Sequence, residues 1–207
     1  GSHIEVIRLP GRTPLLWVDI PGIGTDSGEA LLYGHLDKQP ESSGWDADKG
    51  PWQPVRVGDR LYGRGAADDG YALFASLQAI RVVHDQGVDH PRCMLLIECA
   101  EESGSPDLPA YLDHLAGRMG NPGLVVCLDS GCANYDQLWV TTSLRGMAAG
   151  DLDVQVLEQG VHSGDAGGVV PSSFRIARAL LDRIEDADSG SIKLPALQAS
   201  IPDERVE

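Results

Sequence analysis

The sequence predicts an α/β fold: a mainly parallel mixed sheet flanked by helices, followed by the start of a small α+β domain. Three observations carry that expectation. Short apolar runs alternate with segments of helical period. Two of the runs, Cys93 to Cys99 and Gly123 to Leu128, are nearly continuous, as strands covered on both faces are. From Asp151 to Leu157 the pattern changes to strict alternation, which suits a strand with one wet face. A boundary near Gly146 fits this change, with domains at 4–145 and 146–207.

Taken in order, Ile4 to Leu9 and Pro14 to Ile20 read as strands joined at Pro10-Gly11. A third runs from Ala30 to His35. The segment Gly44 to Pro54, with Trp45 and Trp52 among glycines and prolines, reads as an irregular loop. Val55 to Tyr62 reads as a hairpin turning at Gly58-Asp59. From Asp69 to about Gln86 the apolar positions Leu73, Leu77 and Ile80 recur at helical spacing, and Gly87 ends the helix. Further helices are expected at Asp107 to Met119 and at Pro171 to Asp186.

Composition excludes several classes of function. Sixteen Lys plus Arg stand against 31 Asp plus Glu, a net charge of −15. Nucleic-acid and anionic-membrane partners are therefore not expected, because both need a basic face. No apolar run approaches the length of a membrane span and no signal peptide opens the chain, so a cytoplasmic setting is the expectation. Gly1-Ser2-His3 looks like a cleaved purification scar. Cys93, Cys99, Cys127 and Cys132 show no Cys-x-x-Cys spacing, and buried free thiols are expected rather than a zinc ribbon or disulfides.

The chemistry concentrates where segments end. Leu61 to Gly70 reads Leu-Tyr-Gly-Arg-Gly-Ala-Ala-Asp-Asp-Gly, with small residues that let the backbone come close to whatever the acids hold. A phosphate cradle, a solvated turn with a capping Asp, and a metal ligand at Asp68 are the three readings, and the carboxylate disfavours the first. His35 and Asp37 alternate to the same side of extended chain, which suits an imidazole ligand with its orienting acid. Glu101-Glu102 stands at the end of the buried strand 93–99, and Asp129 ends the next. Parallel sheets place ligands at the carboxyl ends of their strands, so His35/Asp37, Asp68/Asp69, Glu101/Glu102 and Asp129 converge on one rim as a metal centre.

Tyr33-Gly34-His35-Leu36-Asp37, Leu61 to Asp69, Glu101-Glu102-Ser103-Gly104-Ser105, Leu128-Asp129 and His162-Ser163-Gly164 resemble the successive motifs of the aminoacylase/carnosinase family of dizinc metallopeptidases. That family also contains acetylornithine deacetylase, succinyl-diaminopimelate desuccinylase and glutamate carboxypeptidase. The resemblance runs from about Leu15 to Ile184, and the Glu-Glu-Ser-Gly-Ser and His-Ser-Gly forms are most similar to the cytosolic dipeptidase branch.

The resemblance implies a zinc exopeptidase-like fold with a lid and dimerisation domain, and hydrolysis of a peptide or N-acyl amide bond, with dipeptides the expected substrates. N-acyl amino acid deacylation is the alternative. It implies two Zn ions, with Co or Mn suited by the same ligands. Asp68 would bridge them, His35 and Asp129 would complete one site, and Glu102 would bind the other ion. Asp37 would orient His35 and Glu101 would be the general base. His162 would contact substrate in the partner's active site of a homodimer, and the peptide bond after Asp68 would be cis. The family's final histidine for the second metal, most of the second domain and an N-terminal helical segment have no counterpart in these 207 residues, so a complete His35-Asp68-Asp129 site and an incomplete Asp68-Glu102 one are expected. The rival from another class is a non-catalytic, metal-poor scaffold of the same fold.

Overall fold

Trp17, Val18, Leu31 and the run Met94 to Ile97 need cover from both sides, and the chain supplies it by wrapping helices over a sheet. The computed structural model describes residues 1–25, 28–141 and 143–203. Contacts divide the chain into two units, Gly1–Thr141 and Thr142–Glu207.

The first unit runs β1 (His3–Ile7), β2 (Leu15–Ile20), β3 (Glu29–His35), a hairpin of β4 (Val55–Val57) and β5 (Arg60–Tyr62), α1 (Tyr71–Asp85), β6 (Arg92–Glu98), α2 (Leu108–Met119) and β7 (Leu124–Cys127). Five strands form one mixed sheet in the order β1-β2-β6-β3-β7. The β1–β2 and β2–β6 pairs are antiparallel, whereas β3 lies parallel to both β6 and β7. Parallel neighbours need a crossover, and α1 and α2 provide the two. The first crossover carries the chain from β3 to β6, and the second carries it back past β3 to β7. The chain thus reverses direction across the sheet at β3, the place where α/β sheets open a crevice.

Register fixes what meets at that crevice. His35 lies opposite Glu98 on β6, and Tyr33 lies opposite Cys127 on β7, so the residues just beyond each strand emerge on one rim. On one face, Trp17, Leu31, Met94 and Leu96 pack with Tyr111 and Leu115 of α2. The Tyr111 hydroxyl is buried there; it accepts from Leu9 N at 3.2 Å and donates to the Thr13 carbonyl at 2.5 Å.

Several expectations need correction. The strand 124–127 is not covered on both faces: Leu124 and Val125 are 56% and 59% exposed, because β7 is an edge with β3 as its partner. Of the cysteines only Cys93 is buried; Cys99 is half-buried and Cys127 and Cys132 are exposed, and none of the four is in a disulfide. Asp151–Leu157 forms no strand, since alternation sets side-chain faces but a strand also needs a neighbour for its hydrogen bonds. The second unit contains α3 (Ser163–Ala166), α4 (Ser173–Leu181) and an isolated bridge between Glu185 and Ile192. Helix α4 is shorter than expected at both ends, and Ser172 caps it by accepting from Arg175 N. There are no cis peptide bonds among the described residues, so the expected cis bond after Asp68 is trans; cis costs a non-proline about 3 kcal/mol. No helix among the described residues is long and apolar enough to cross a membrane.

Replacing Tyr111 by Phe leaves the half-buried Leu9 amide and Thr13 carbonyl without this partner. Urea denaturation is expected to show a loss of about 1–3 kcal/mol with an unchanged denaturant slope. A variant as stable as the parent would show that this hydroxyl contributes nothing to the α2 packing.

Candidate metal centre

His35 ends β3 with its side chain wholly inside the protein; the residue is 1% exposed. Its Nδ1 lies 3.3 Å from Asp37 Oδ1 and 3.2 Å from the Asp37 carbonyl. Either contact holds the ring proton on Nδ1 and leaves the Nε2 lone pair facing outward from the strand. Nε2 faces Asp68 Oδ1 at 3.2 Å, Asp129 Oδ2 at 3.5 Å and Glu101 Oε2 at 3.8 Å, with hydrogen-bonding geometry to none of them. A lone pair pointed at three carboxylates is an arrangement that a cation between them stabilises.

The scaffold around this imidazole is backbone. Asp37 accepts from Glu101 N at 3.2 Å through Oδ1 and from Glu102 N at 3.0 Å through Oδ2. One carboxylate therefore orients the ring and fixes the 3₁₀ turn Glu101–Ser103. Asp69, which the sequence offers only as half of an acidic pair, is fully buried. Its Oδ2 accepts from His35 N at 3.0 Å, and its Oδ1 accepts from Gly70 N at 2.5 Å and Ala72 N at 3.1 Å. This pins the start of α1 to the end of β3. Gly34 makes the approach possible, because a Cβ there would stand 2.7 Å from Asp69 Oδ2 and would overlap the Ala72 methyl. Asp68, one residue earlier, turns its side chain toward His35 and remains largely exposed.

Ligand atoms of His35, Asp68 and Asp129 all lie within 4.8 Å of one another. Glu102 is outside this group of three; its Oε2 accepts from Gln39 Nε2 at 2.5 Å, and its Oε1 is buried with no partner among the described residues. His162 lies in the second unit, where it caps α3 by accepting from Gly164 N at 3.1 Å. Sequence reasoning also passed over Glu98. It is 2% exposed and its Oε1 accepts from the Tyr33 hydroxyl at 2.6 Å and from Ser105 Oγ at 2.8 Å. Its signal was a lone acid inside an otherwise apolar run.

Crowding shows in the protonation equilibria. Burial pushes the Asp129 carboxyl up, with Asp68, Asp69 and Glu102 adding to it against the opposing pull of His35. Burial likewise pushes Glu101 up, against the pull of His35. For His35 burial acts downward but is outweighed by Asp129, Asp37, Glu101 and Asp69, and the net shift is upward. The donors fit a divalent ion of the zinc, cobalt or manganese type: one imidazole with carboxylates, and an orphaned buried nitrogen among them.

The sequence profile of Peptidase family M20/M25/M40 matches residues 31–178. The chain belongs to this family. Human Beta-Ala-His dipeptidase is 30% identical over 190 residues, which are 89% of this chain and 37% of that protein. Cysteinylglycine-S-conjugate dipeptidase of Corynebacterium striatum is 30% identical over 163 residues, 78% of this chain and 35% of the relative. Among solved structures, the di-peptidase Dug1p of Saccharomyces cerevisiae superimposes with a TM-score of 0.61 at 23% identity, over 99% of this chain and 46% of that one. The chain thus spans less than half the length of these M20 relatives. His35, Asp37, Asp68, Glu101, Glu102, Asp129 and His162 all fall within the family match.

A raised His35 pKa means that the folded, metal-free chain holds this proton more tightly than the unfolded one does. The contribution to stability is full below the unfolded value of about 6.5 and is lost as pH rises through the higher folded value. An NMR titration of the metal-free chain is expected to place the His35 midpoint above that reference, and Asp129→Asn to lower it. A midpoint at or below the reference would contradict the crowding of carboxylates around Nε2.

Proposed function

We propose that the chain carries the metal-binding part of a metal-dependent peptidase that hydrolyses dipeptides. The observation that carries the reading is the buried His35 Nε2, unpartnered and facing Asp68, Asp129 and Glu101. Membership of the M20 family and the similarity to dipeptidases support it.

In this reading His35, Asp68 and Asp129 hold one zinc ion, and Asp68 with Glu102 contributes to a second, to which Co or Mn is also suited. A metal bound there supplies Lewis acidity toward a carbonyl and acidifies water. Glu101 is the general base: its carboxylate takes a proton from the attacking water and returns it to the departing amine. The upward shift of its pKa moves it toward the range in which both transfers are easy. Asp37 holds the His35 ring and, through two backbone amides, the turn that presents Glu101. The first unit is the catalytic domain in this account and the second the start of a lid and dimerisation domain, in which His162 serves the partner's site of a homodimer. A cytoplasmic setting accompanies it.

Elemental analysis after zinc loading and dialysis is expected to find at least about one ion per chain, lost in Asp68→Ala. Glu101→Gln is expected to keep the metal while dipeptide hydrolysis by the protein that bears this chain falls by about 10²- to 10⁴-fold. Undiminished turnover in that variant would remove Glu101 from the role.

A further inference from the structure

Lys38 lies just beyond the His35 strand end and has no role in the chemistry above. Its Nζ donates to the Leu36 carbonyl at 3.0 Å, to the Asp37 carbonyl at 3.2 Å and to the Asp69 carbonyl. An ammonium has three donors and no acceptor, so the three carbonyls use it fully. Two of them belong to the strand end that carries His35, and the third belongs to the loop that carries Asp68. The side chain thus joins the two segments whose carboxylates and imidazole must meet.

The loop is shaped to receive this lysine. A Cβ at Gly65 would land on Lys38 Cδ and Cε, and Gly65 has φ +76°, where side chains are disfavoured. A Cβ at Gly70 would stand 2.5 Å from the Gly65 carbonyl and 3.8 Å from Lys38 Nζ. The glycines of the motif therefore make room for a cation from another segment, which differs from making room for a bound ligand. Electrostatics gives the clamp its purpose. Asp37, Asp68, Asp69, Glu101, Glu102 and Asp129 crowd one rim, and like charges drive such loops apart unless something offsets them. Lys38 places a fixed positive charge at the crossing while spending its donors on backbone, so the side chains of Asp68 and Asp129 stay free.

We propose that Lys38 is a positioning residue whose ammonium locks the Asp68 loop to the His35 strand end and so gathers the ligand atoms before any ion arrives. Its consequence for metal binding rests on the reading of His35, Asp68 and Asp129 as ligands. The clamp itself is independent of metal and is measured without it.

The sequence contains three lysines, Lys38, Lys49 and Lys193, so the ammonium signals are few enough to assign. In the metal-free chain Lys38 is expected to give an ammonium ¹⁵N–¹H signal that exchanges more slowly than that of a solvated lysine. Lys38→Met keeps most of the aliphatic stem and removes the donors. Amide exchange across residues 63–70 is expected to rise about ten-fold or more, with α2 unchanged, and Co²⁺ affinity to fall by a similar factor while the cobalt spectrum at saturation is preserved. Lys49→Met should change none of these. A Lys38 ammonium that exchanges as fast as a solvated lysine, or unchanged loop protection in Lys38→Met, would overturn the clamp; should that variant not fold, the ammonium signal of the unaltered chain decides. If the unaltered chain shows the protected ammonium but takes up no Co²⁺, the clamp stands and the metal reading falls. Normal Co²⁺ uptake with an unprotected ammonium has the opposite meaning.

Discussion

The buried carboxylate of Asp69 is the contact on which the site geometry depends. A charge wholly inside a protein is costly unless donors surround it, and here three backbone amides, those of His35, Gly70 and Ala72, do so. The same bonds fix the last residue of β3 against the first turn of α1. Since Gly34 has no Cβ, the carboxylate can lie against the strand itself. Asp68 then has no freedom to leave the rim: its neighbour is anchored, and its own side chain reaches His35 Nε2. Two adjacent aspartates divide the work, one holding backbone and one left available.

The two ends of the sheet handle charge in opposite ways. At the amino ends of β6 and β3, Arg92 donates to Asp19 at 2.6 Å, to Glu29 at 2.8 Å and to the Arg118 carbonyl at 2.7 Å. The Asp19 hydrogen bond pulls that carboxyl below its ordinary range, although partial burial opposes it. At the carboxyl ends, Asp129 and Glu101 are pushed upward instead, and the group they face is an imidazole. Matched charge at one end and crowded acid at the other is a division of labour between holding the sheet and presenting a cation site. Glu98 sits between these regimes. Its bonds to Tyr33 and Ser105 tie the turn after β6 back to β3. Burial pushes the tyrosine's pKa up and the Glu98 carboxylate adds to it, against a smaller opposing pull from Ser105.

Periodicity in the sequence located the sheet and its helices within a few residues, because side-chain faces are set directly by residue order. The convergence of His35, Asp68 and Asp129 was legible for a similar reason: parallel strands deliver their carboxyl-terminal residues and the loops beyond them to one rim. What periodicity cannot carry is the identity of neighbours. The run 124–127 has the apolarity of a central strand, but exposure depends on β7 lying at the edge. The alternation at 151–157 promised a strand, yet no ladder forms there. The sequence offers Asp69 only as half of an acidic pair and Glu98 only as a lone acid in an apolar run, and it gives no sign of Lys38, because the decisive partner of each, His35 N, the Tyr33 hydroxyl and the Asp69 carbonyl, is far away in sequence. A carboxylate that binds amides and one that awaits a cation look alike in a string of letters.

The central claim is that the acidic strand ends converge on a cation site built from His35, Asp68 and Asp129. Crystals of the chain grown with zinc, measured at the zinc absorption edge, test it most directly. The account predicts an anomalous peak at bonding distance from His35 Nε2 and from carboxylate oxygens of Asp68 and Asp129, about 2.0–2.2 Å. Zinc found only elsewhere on the acidic surface, with His35 Nε2 bonded to one of the carboxylates instead, would contradict it.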